Sequence, residues 1–517
     1  MKRYGFQSGI GFDLNLTPKD DITASFNYNY NGTNSNSSGN QCITVFDTAK
    51  TQVSNQSDLI KSMNDNHGQT YDWSVNYKHN FSRKGHELNF LYTSSYSKNY
   101  ASYQQTQGLA IPDSILSGSK GTNPGTNRET DLSVDYSIPL GEKAILEAGG
   151  KVVLYELNSI TDTYTFTPFA NDFQPDRSQS YALRYDRNIY AAYLSGSFSL
   201  FSWLDLKLGC RYEFTNTRIV YANNPNMAIP DYNTIAPSVI LSHSFLHNQI
   251  LKFSYSYRIQ RPDYRELNPF INLSDPHNIT TGNPALTPEL VHGLELSYNK
   301  SFSKGGNINI VTFYRRNIDD IQSFVTYYPE YQIGDSLYKD VTVISRENIS
   351  MEQRGGINLY GSFPLVKGLN LRSNISCYDR YIVNTNGASA SINSFEYRIN
   401  LNLTYQLPWD LAFEFFGNFN SQKTNAQGKV PSVTTYNLAV RKQLFNNKAS
   451  IAFTATNPFN KYINQKTDLT GENFTLSTLR QVPYRSFGIN FTFKFGKLTF
   501  KPQKEVDHND ALTPSDF

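Results

Sequence analysis

Eight histidines and three cysteines are the residues of this 517-residue chain best suited to ligating a metal. The histidines form no HExxH motif, and His243 and His247 are four apart, a spacing that joins side chains on a helix but not across a strand and a turn. Cys42, Cys210 and Cys377 form no CxxC pair, so neither a zinc site nor a disulfide framework is indicated. These spacings predict no metal centre and no cofactor.

Carboxylates are the other candidates for catalysis, and Glu396 and Glu414 both occupy polar positions of alternating stretches. A carboxylate at such a position lines a hydrated wall more often than it forms an acid–base pair. The chain also has no GxSxG elbow, no P-loop and no convincing dinucleotide-binding glycine pattern. We therefore predict that the protein is not an enzyme, although the existence of small barrel proteases and acyltransferases leaves a catalytic alternative open.

Residues 394–407 show the kind of element that positions these side chains. Apolar residues stand at every second position from Phe395 to Leu407, with charged or amide residues between them, which is the period of a strand with two different faces. Its length matches the roughly 9–11 tilted residues that a strand needs to cross the hydrocarbon layer of a membrane. The pattern predicts a transmembrane strand with one lipid face and one wet face.

The same module repeats along the chain. Short turns, such as residues 17–21, 364–368 and 446–448, alternate with long connections, such as residues 31–66 and 318–347. The count is about nineteen strands, and short turns on the periplasmic side with longer loops outside are typical of outer-membrane barrels. We predict an all-β fold, a transmembrane antiparallel up-and-down β-barrel. Three more strands would give the 22 of plugged outer-membrane transporters.

Composition agrees with a sheet that is apolar on one face only. Hydrophobic residues make up 38% of the chain, yet aromatic residues reach 14%, which argues against disorder. The net charge of +3 is dispersed, and no basic patch predicts a nucleic-acid partner. The first residues lack the apolar region of a secretory signal peptide, so we expect that a signal was removed or that the sequence begins within a longer protein.

Two segments are expected from this pattern. Residues 1–497 are predicted to form an N-terminally incomplete barrel that ends with a phenylalanine-rich strand over residues 484–495. Residues 498–517 are rich in Lys and Asp, and we expect them to form a flexible periplasmic tail.

Residues 255–298 carry a proline-rich motif, and the chain has the further sequence Asn457-Pro458-Phe459-Asn460 after its penultimate strand. Together they resemble the outer-membrane β-barrel family of Bacteroidota-type TonB-dependent receptors, and residues 283–289 look like the core motif of TonB-dependent receptors generally. The motif residues are Arg261, Pro262, Leu267, Asn268, Pro269, Phe270, Asp275, Pro276, Gly282, Asn283, Pro284, Leu286, Pro288 and Glu289.

The resemblance implies a place in the bacterial outer membrane and energy-coupled import of a scarce solute, such as a metal chelate, a cofactor or an oligosaccharide. It also implies a plug domain and a TonB-type energy-transducing complex as partners, which such receptors contact through a region before the barrel. Neither the plug nor that contact segment is found in this sequence. The alternative is a passive porin-like pore or a surface adhesin without energy coupling.

Two sets of residues remain open to more than one interpretation. The proline-rich motif is either a ligand-contacting loop or, as we favour, a loop whose prolines determine how it folds over the rim. The polar positions of the strands are expected to face the lumen, where they would bind anionic or polar ligands or, as we favour, hydrogen-bond a plug. The residues concerned are Lys252, Arg258, Arg372, Arg398, Asn400 and Asn402.

Overall fold

A computed structural model describes residues 2–46, 51–109, 114–221, 224–273, 275, 277–303, 305–333, 336–384, 391–425, 427–471 and 474–493. In these residues, strands that pair with their neighbours in chain order form one antiparallel sheet. They are β1 (Lys2–Thr17), β2 (Asp20–Phe46), β3 (Gln52–Asn80), β4 (Glu87–Leu109), β5 (Ser114–Pro139), β6 (Ala144–Thr167), β7 (Tyr181–Phe201), β8 (Leu204–Tyr221), β9 (Tyr232–Phe245), β10 (Gln249–Gln260), β11 (Glu289–Ser301), β12 (Asn307–Ile333), β13 (Ser336–Val366), β14 (Leu369–Asn384), β15 (Ile392–Leu407), β16 (Leu411–Asn420), β17 (Thr434–Leu444), β18 (Ala449–Thr456) and β19 (Ser486–Phe493). The prediction of about nineteen antiparallel strands joined up and down is confirmed.

The two faces of the sheet differ as the alternation predicts. On the outer face, Phe395 of β15 is 62% exposed and Ile489 of β19 is 71% exposed. On the inner face of β15, Glu396 is only 3% exposed, lies 3.6 Å from Arg380 of β14 and accepts a hydrogen bond from the Tyr378 hydroxyl. Exposed apolar rows of this kind are stable only against lipid.

Several of the predicted long loops are strands in the structure. β2 and β3 remain paired from Asp20 with His79 up to Phe46 with Gln52, although residues 31–66 are predicted as a polar loop. β12 and β13 form a comparable hairpin over residues predicted as the connection 318–347. In the β2–β3 hairpin, residues 31–66 carry no sustained apolar alternation while the backbone ladder continues. In the β12–β13 hairpin, one face packs on the chain itself, since Val341 and Val343 are buried.

The sheet is not closed. Among the described residues, β1 pairs with β2 and β19 pairs with β18, and no pairing joins β1 to β19. The 22-stranded barrel therefore stays a prediction. The predicted tail, residues 498–517, lies outside the described part of the chain. The described residues contain no helix with the length and apolar character that crossing a membrane requires.

Two further layers lie at the end of the sheet where the long connections are, which we call the long-loop end. Residues 261–288 join β10 to β11 and contain a short helix, α1 (Tyr264–Leu267), and a strand, Asn278–Thr280, that pairs in parallel with β13. We call residues 261–288 the inner strap. A separate sheet of four short strands forms from the connections around β17 and β19, and they are Lys423–Asn425, Gly428–Val430, Tyr462–Thr470 and Thr475–Pro483.

Candidate functional site

The inner strap begins at an arginine clamp. Arg261 forms an ion pair with Glu213 of β8, and its guanidinium donates hydrogen bonds to Thr215 Oγ1 at 2.9 and 3.1 Å. The two ionic side chains are only 14% and 12% exposed. Thr215 itself is fully buried. The clamp therefore draws the strap onto the inner face of the sheet as soon as β10 ends.

Helix α1 then turns the strap along that face. Asp263 caps the helix by accepting from the backbone amides of Arg265 and Glu266, and Glu266 completes a capping box. Leu267, at the last position of the helix, is 2% exposed. It packs against Leu157 of β6, Tyr185 of β7 and Ile219 of β8, so the helix is held by apolar contacts to the sheet.

Gly282 closes the strap over the end of helix α1. Its amide donates to the carbonyl of Asn268 at 2.9 Å, and the next amide, that of Asn283, donates to the carbonyl of Glu266 at 2.6 Å. A Cβ atom at position 282 would lie 2.4 Å from the Asn268 carbonyl oxygen and 2.6 Å from that of Glu266. Only glycine permits this approach.

The middle of the strap rests on two walls of the sheet. Phe270 stacks on Tyr181 of β7 with ring centroids 4.4 Å apart, and Asn268 Nδ2 contacts the same tyrosine hydroxyl at 3.4 Å. Ile279 is fully buried against Val341 and Val343 of β13. The strap thus spans the inner face from β7 to β13.

Polar contacts also hold the last residues of the strap, this time to β13. Asn283 Nδ2 donates to the carbonyl of Arg346, and Asn348 Oδ1 accepts from the Thr287 amide at 2.8 Å. Leu286 is 4% exposed and joins the apolar cluster around Leu267. These contacts bind the strap to β13 at its end as the arginine clamp binds it to β8 at its start.

Glu289 lies where the strap meets β11, at the opposite end of this 13-residue strand from its short turn. It is beyond the roughly 9–11 residues that suffice to cross the hydrocarbon layer. The carboxylate is 4% exposed and accepts from the Ile321 amide at 3.0 Å and from Asn317 Nδ2 at 3.3 Å. Burial, reinforced by the nearby Asp320 carboxylate, raises the pKa of Glu289 to about 7.

A charged cluster of residues on β13, β14 and β15 lies near Glu289, since Glu352 of this cluster acts electrostatically on it. Glu352 is 1% exposed and forms ion pairs with both Arg354 and Arg380. Arg380 also lies 3.6 Å from Glu396, and its Nη1 donates to the carbonyl of Thr424 at 2.6 Å. Through Arg380 and Thr424, the cluster joins the main sheet to the separate sheet of four short strands.

The structure brings together most of the motif residues predicted from the sequence. Arg261, Leu267, Asn268, Phe270, Gly282, Asn283, Leu286 and Glu289 make the contacts described above, and Pro262 is buried. The Pro269 carbonyl accepts from Thr281 Oγ1, Asp275 accepts from the His277 amide and from Asn278 Nδ2, Pro284 lies in a turn, and Pro288 precedes β11. Pro276 lies outside the described residues.

The six strand residues predicted to face the lumen fall into two groups. Arg258 and Arg398 lie next to the charged cluster. Arg258 acts electrostatically on Arg315, and Arg398 acts on Lys423. Lys252, Arg372, Asn400 and Asn402 lie nearer the short turns, where Arg372 is the register partner of Asn402. Among the residues that the structure describes, no hydrogen bond or ion pair joins these four to the strap.

Sequence reasoning missed the buried acids that hold the site together, Glu213 and Glu352. A simple pattern could have found them, because opposite charges two residues apart on the polar face mark each one. Glu352 precedes Arg354 in this way, and Arg211 precedes Glu213 with an ion pair. At strand spacing such residues share a face, so the pattern indicates ion pairs along a strand. It marks shielded pairs such as these and also exposed ones such as Arg184 with Asp186.

The described side chains of this site hold the strap on the sheet and leave surface for binding. The carboxylates considered for catalysis are paired, Glu396 with Arg380 and Glu414 with Arg441 at 3.2 Å. Within the described residues no group of three or more potential ligands could hold a metal ion. The three cysteines are free.

Comparison with known proteins identifies relatives of the chain. The model of a family described as the outer membrane protein beta-barrel family matches residues 79–493. No match to the chain was found among curated protein sequences.

Solved structures with the same fold include two receptors and a transporter. The alcaligin outer membrane receptor FauA from Bordetella pertussis has a TM-score of 0.51 and 17% identity, with 88% of this chain and 65% of that chain covered. The pyoverdine outer membrane receptor FpvA from Pseudomonas aeruginosa has a TM-score of 0.58 and 13% identity, with 95% and 77% covered. The ferric citrate transporter FecA has a TM-score of 0.58 and 12% identity, with 95% and 78% covered. The chain thus spans about two thirds of the length of FauA, and at these identities the likeness shows the fold.

Proposed function

Because this chain belongs to the outer membrane protein beta-barrel family, we propose that it is the barrel of a TonB-dependent receptor in a bacterial outer membrane. The barrel captures a scarce solute at the cell surface and passes it inward at the expense of an inner-membrane energy-transducing complex. The solute is a metal chelate, a cofactor or an oligosaccharide. In this proposal, a plug domain and the segment that contacts the energy-transducing complex are contributed by residues outside this 517-residue sequence.

The inner strap is the observation that carries this proposal. An open pore needs a clear inner face, whereas this chain covers its own inner face at the long-loop end with a segment fixed at both ends. The strap buries Leu267 and Leu286 against three strands and pairs in parallel with β13. A segment so placed narrows the path from outside and leaves contact surface for a solute above it.

The structural likenesses add support for a metal chelate among the three solute classes. The similar proteins include receptors for alcaligin and pyoverdine and a transporter of ferric citrate. The tall hairpins β2–β3 and β12–β13, which rise well past the length needed to cross the membrane, provide walls for a surface-facing vestibule.

Planar-bilayer conductance of the purified full-length protein separates an energy-coupled receptor from a passive pore. We expect near-silence in 1 M KCl under conditions in which a general porin, the positive control, gives large steady currents. A large steady conductance from the full-length protein would overturn the proposal in favour of a porin-like pore.

A growth experiment tests the energy coupling. Cells lacking this protein, and cells lacking the energy-transducing complex, are supplied with ferric citrate, haem or a malto-oligosaccharide as the limiting nutrient. We expect both strains to lose growth on the same nutrient. Growth that depends on this protein but not on the complex contradicts the proposal.

A further inference from the structure

Three arginines stand side by side on the inner face of the sheet. The register pairs Arg315 of β12 with Arg354 of β13, and Arg354 with Arg380 of β14. Directly opposed like charges destabilise a sheet. Such a row is expected only where other groups neutralise the guanidiniums or where a ligand does so.

Two of the three guanidiniums are neutralised by the protein itself. Glu352 lies between Arg354 and Arg380 and pairs with both, and Glu396 adds a contact to Arg380. Glu352 is 1% exposed, so water screens these pairs little. The carboxylates of Glu352 and Glu396 are therefore already paired with Arg354 and Arg380.

Arg315 differs from its two neighbours. It makes no hydrogen bond or ion pair with any residue that the structure describes, although it is only partly exposed. The charged groups that act on it most strongly are two further cations, Arg354 and Arg258, ahead of the carboxylates Glu352 and Glu295. Its guanidinium thus lies in a locally positive field.

The surroundings of Arg315 leave room beside that guanidinium. Its register partner on β11 is Gly293, which presents no side chain, and the residue beyond it on β10 is Ser256. In the separate sheet of four short strands, Lys423 lies near Arg354 and Arg380, the other two arginines of the row. Partial burial lowers the pKa of Lys423. The Glu396 carboxylate raises it, and Arg398, Arg354 and Arg380 lower it.

We propose that Arg315, with Arg258 beside it, forms a subsite for an anionic group of the imported solute, a carboxylate, phosphate or sulfate. A guanidinium presents paired N–H donors that match two oxygens of such a group. This inference rests on the proposed function and narrows it, since it selects acidic solutes from among chelates, cofactors and oligosaccharides.

Binding to the purified full-length protein tests the subsite, with calorimetric titration as the measurement. The anionic probes are ferric citrate and a heparin hexasaccharide, inorganic phosphate is the small-ion probe, and maltohexaose is the neutral comparison. The variants are Arg315→Gln, Arg315→Lys and the matched control Arg316→Gln. Arg316 is the next residue on β12 and is exposed on the opposite face. Among the described residues its side chain forms a hydrogen bond only to Met351.

We expect at least one anionic probe to bind the wild-type protein and to bind Arg315→Gln at least tenfold more weakly. Arg315→Lys should bind with intermediate affinity because it keeps the charge and loses the paired donors, and Arg316→Gln should match the wild type. Competition by phosphate alone, with neither larger probe binding, would identify a free-anion site and overturn the assignment to a solute. Stronger binding of maltohexaose, or no binding of any anionic probe, would also overturn it.

The thermal unfolding midpoint of each variant is measured to separate a loss of anion binding from a loss of protein stability. A lower midpoint for Arg315→Gln with unchanged anion binding would show that the guanidinium pairs with another part of the protein, and the inference would fail. Bilayer conductance of the same samples tests the proposed function separately. A silent protein whose binding ignores Arg315 refutes the subsite alone, whereas a large current refutes the receptor itself.

Discussion

The inner strap and the β2–β3 hairpin are both long connections at the same end of the sheet, yet they are built in opposite ways. The hairpin continues a regular ladder of paired backbones from Asp20 to Phe46. The strap has few ladder bonds and is held by an arginine clamp, two buried leucines and one glycine contact. The hairpin extends the paired strands of the sheet, whereas the strap packs against the inner face of the sheet.

The difference shows where the stability of each connection resides. In a ladder, each residue pair contributes a similar small amount, so the tip can fray without disturbing the base. In the strap, a few side chains fix the whole segment, and the loss of one releases many residues. Single substitutions should therefore open the strap and barely affect the hairpin, and hydrogen exchange of the full-length protein can measure both.

Gly282→Ala should have the largest effect. The new Cβ would lie 2.4 Å from a backbone carbonyl oxygen, a contact that no side-chain rotation relieves. We expect the free energy of opening the strap to fall by about 4 kcal/mol, measured as faster exchange of the Thr281 and Asn283 amides. The matched control is Gly39→Ala in β2, where nothing lies within 4 Å of the added atom. Equal effects at both positions would refute the contrast.

Leu267→Ala should come next. Its side chain is 2% exposed and packs on residues of three strands, so truncation leaves a cavity that costs about 3 kcal/mol. Leu337→Ala, at a 51% exposed position near the tip of the β12–β13 hairpin, is the control, with a change within about 0.5 kcal/mol expected. If the strap amides of Leu267→Ala still exchange slowly with solvent, the hydrogen bonds and the ion pair at the two ends of the strap are sufficient to hold it on the sheet.

The contrast also explains what the sequence could and could not predict. Alternation defines the strands wherever one face meets lipid, as the exposure of Phe395 and Ile489 shows. It fails in the β2–β3 hairpin because residues 31–66 carry no apolar phase. Asparagine and serine then suggest a loop although the backbone ladder continues. It also fails in β12–β13, where the buried face packs against the distant residue Ile279 and not against lipid.

The site was predictable only as a list of motif residues. The prolines and glycine of residues 261–289 indicate a shaped loop, but its direction depends on Leu157, Tyr185 and Ile219, which are distant in the sequence. No local pattern links these to Leu267. The ion pairs are different, since opposite charges two residues apart on a polar face are visible in the sequence. That spacing predicts the pairing but not the burial, because Lys466 and Asp468 form an exposed pair of the same kind.

Glu289 should make the strap sensitive to pH. Its pKa of about 7 is above the ordinary value of 4.5, so its contribution is fully present below pH of about 4.5 and is lost as pH rises through 7, when a buried carboxyl must ionise. Between pH 5 and 8 we expect the opening free energy to fall by about 2 kcal/mol. Asp320 has a raised pKa from burial and from Glu352 and adds to the same trend.

The matched pair for this prediction is Glu289→Gln and Glu295→Gln, both on β11. Glutamine at position 289 can still accept from the Ile321 amide, so the strap should stay docked with a weaker pH dependence. Glu295 is exposed, and its substitution should leave the dependence unchanged. A wild-type strap whose exchange, after correction for intrinsic rates, is constant from pH 5 to 8 would contradict the assignment of Glu289.

Gln41→Ala should have the smallest effect and tests whether the two connections are independent. Gln41 near the tip of β2 donates to Asp275 Oδ2 of the strap at 3.3 Å, while Asp275 keeps its contacts to the His277 amide and Asn278 Nδ2. Loss of one long hydrogen bond with the others intact should cost about 0.5 kcal/mol. If this variant opens the strap as far as Leu267→Ala does, the hairpin and the strap form one cooperative unit, because the ladder would then carry the stability that we assign to the buried side chains.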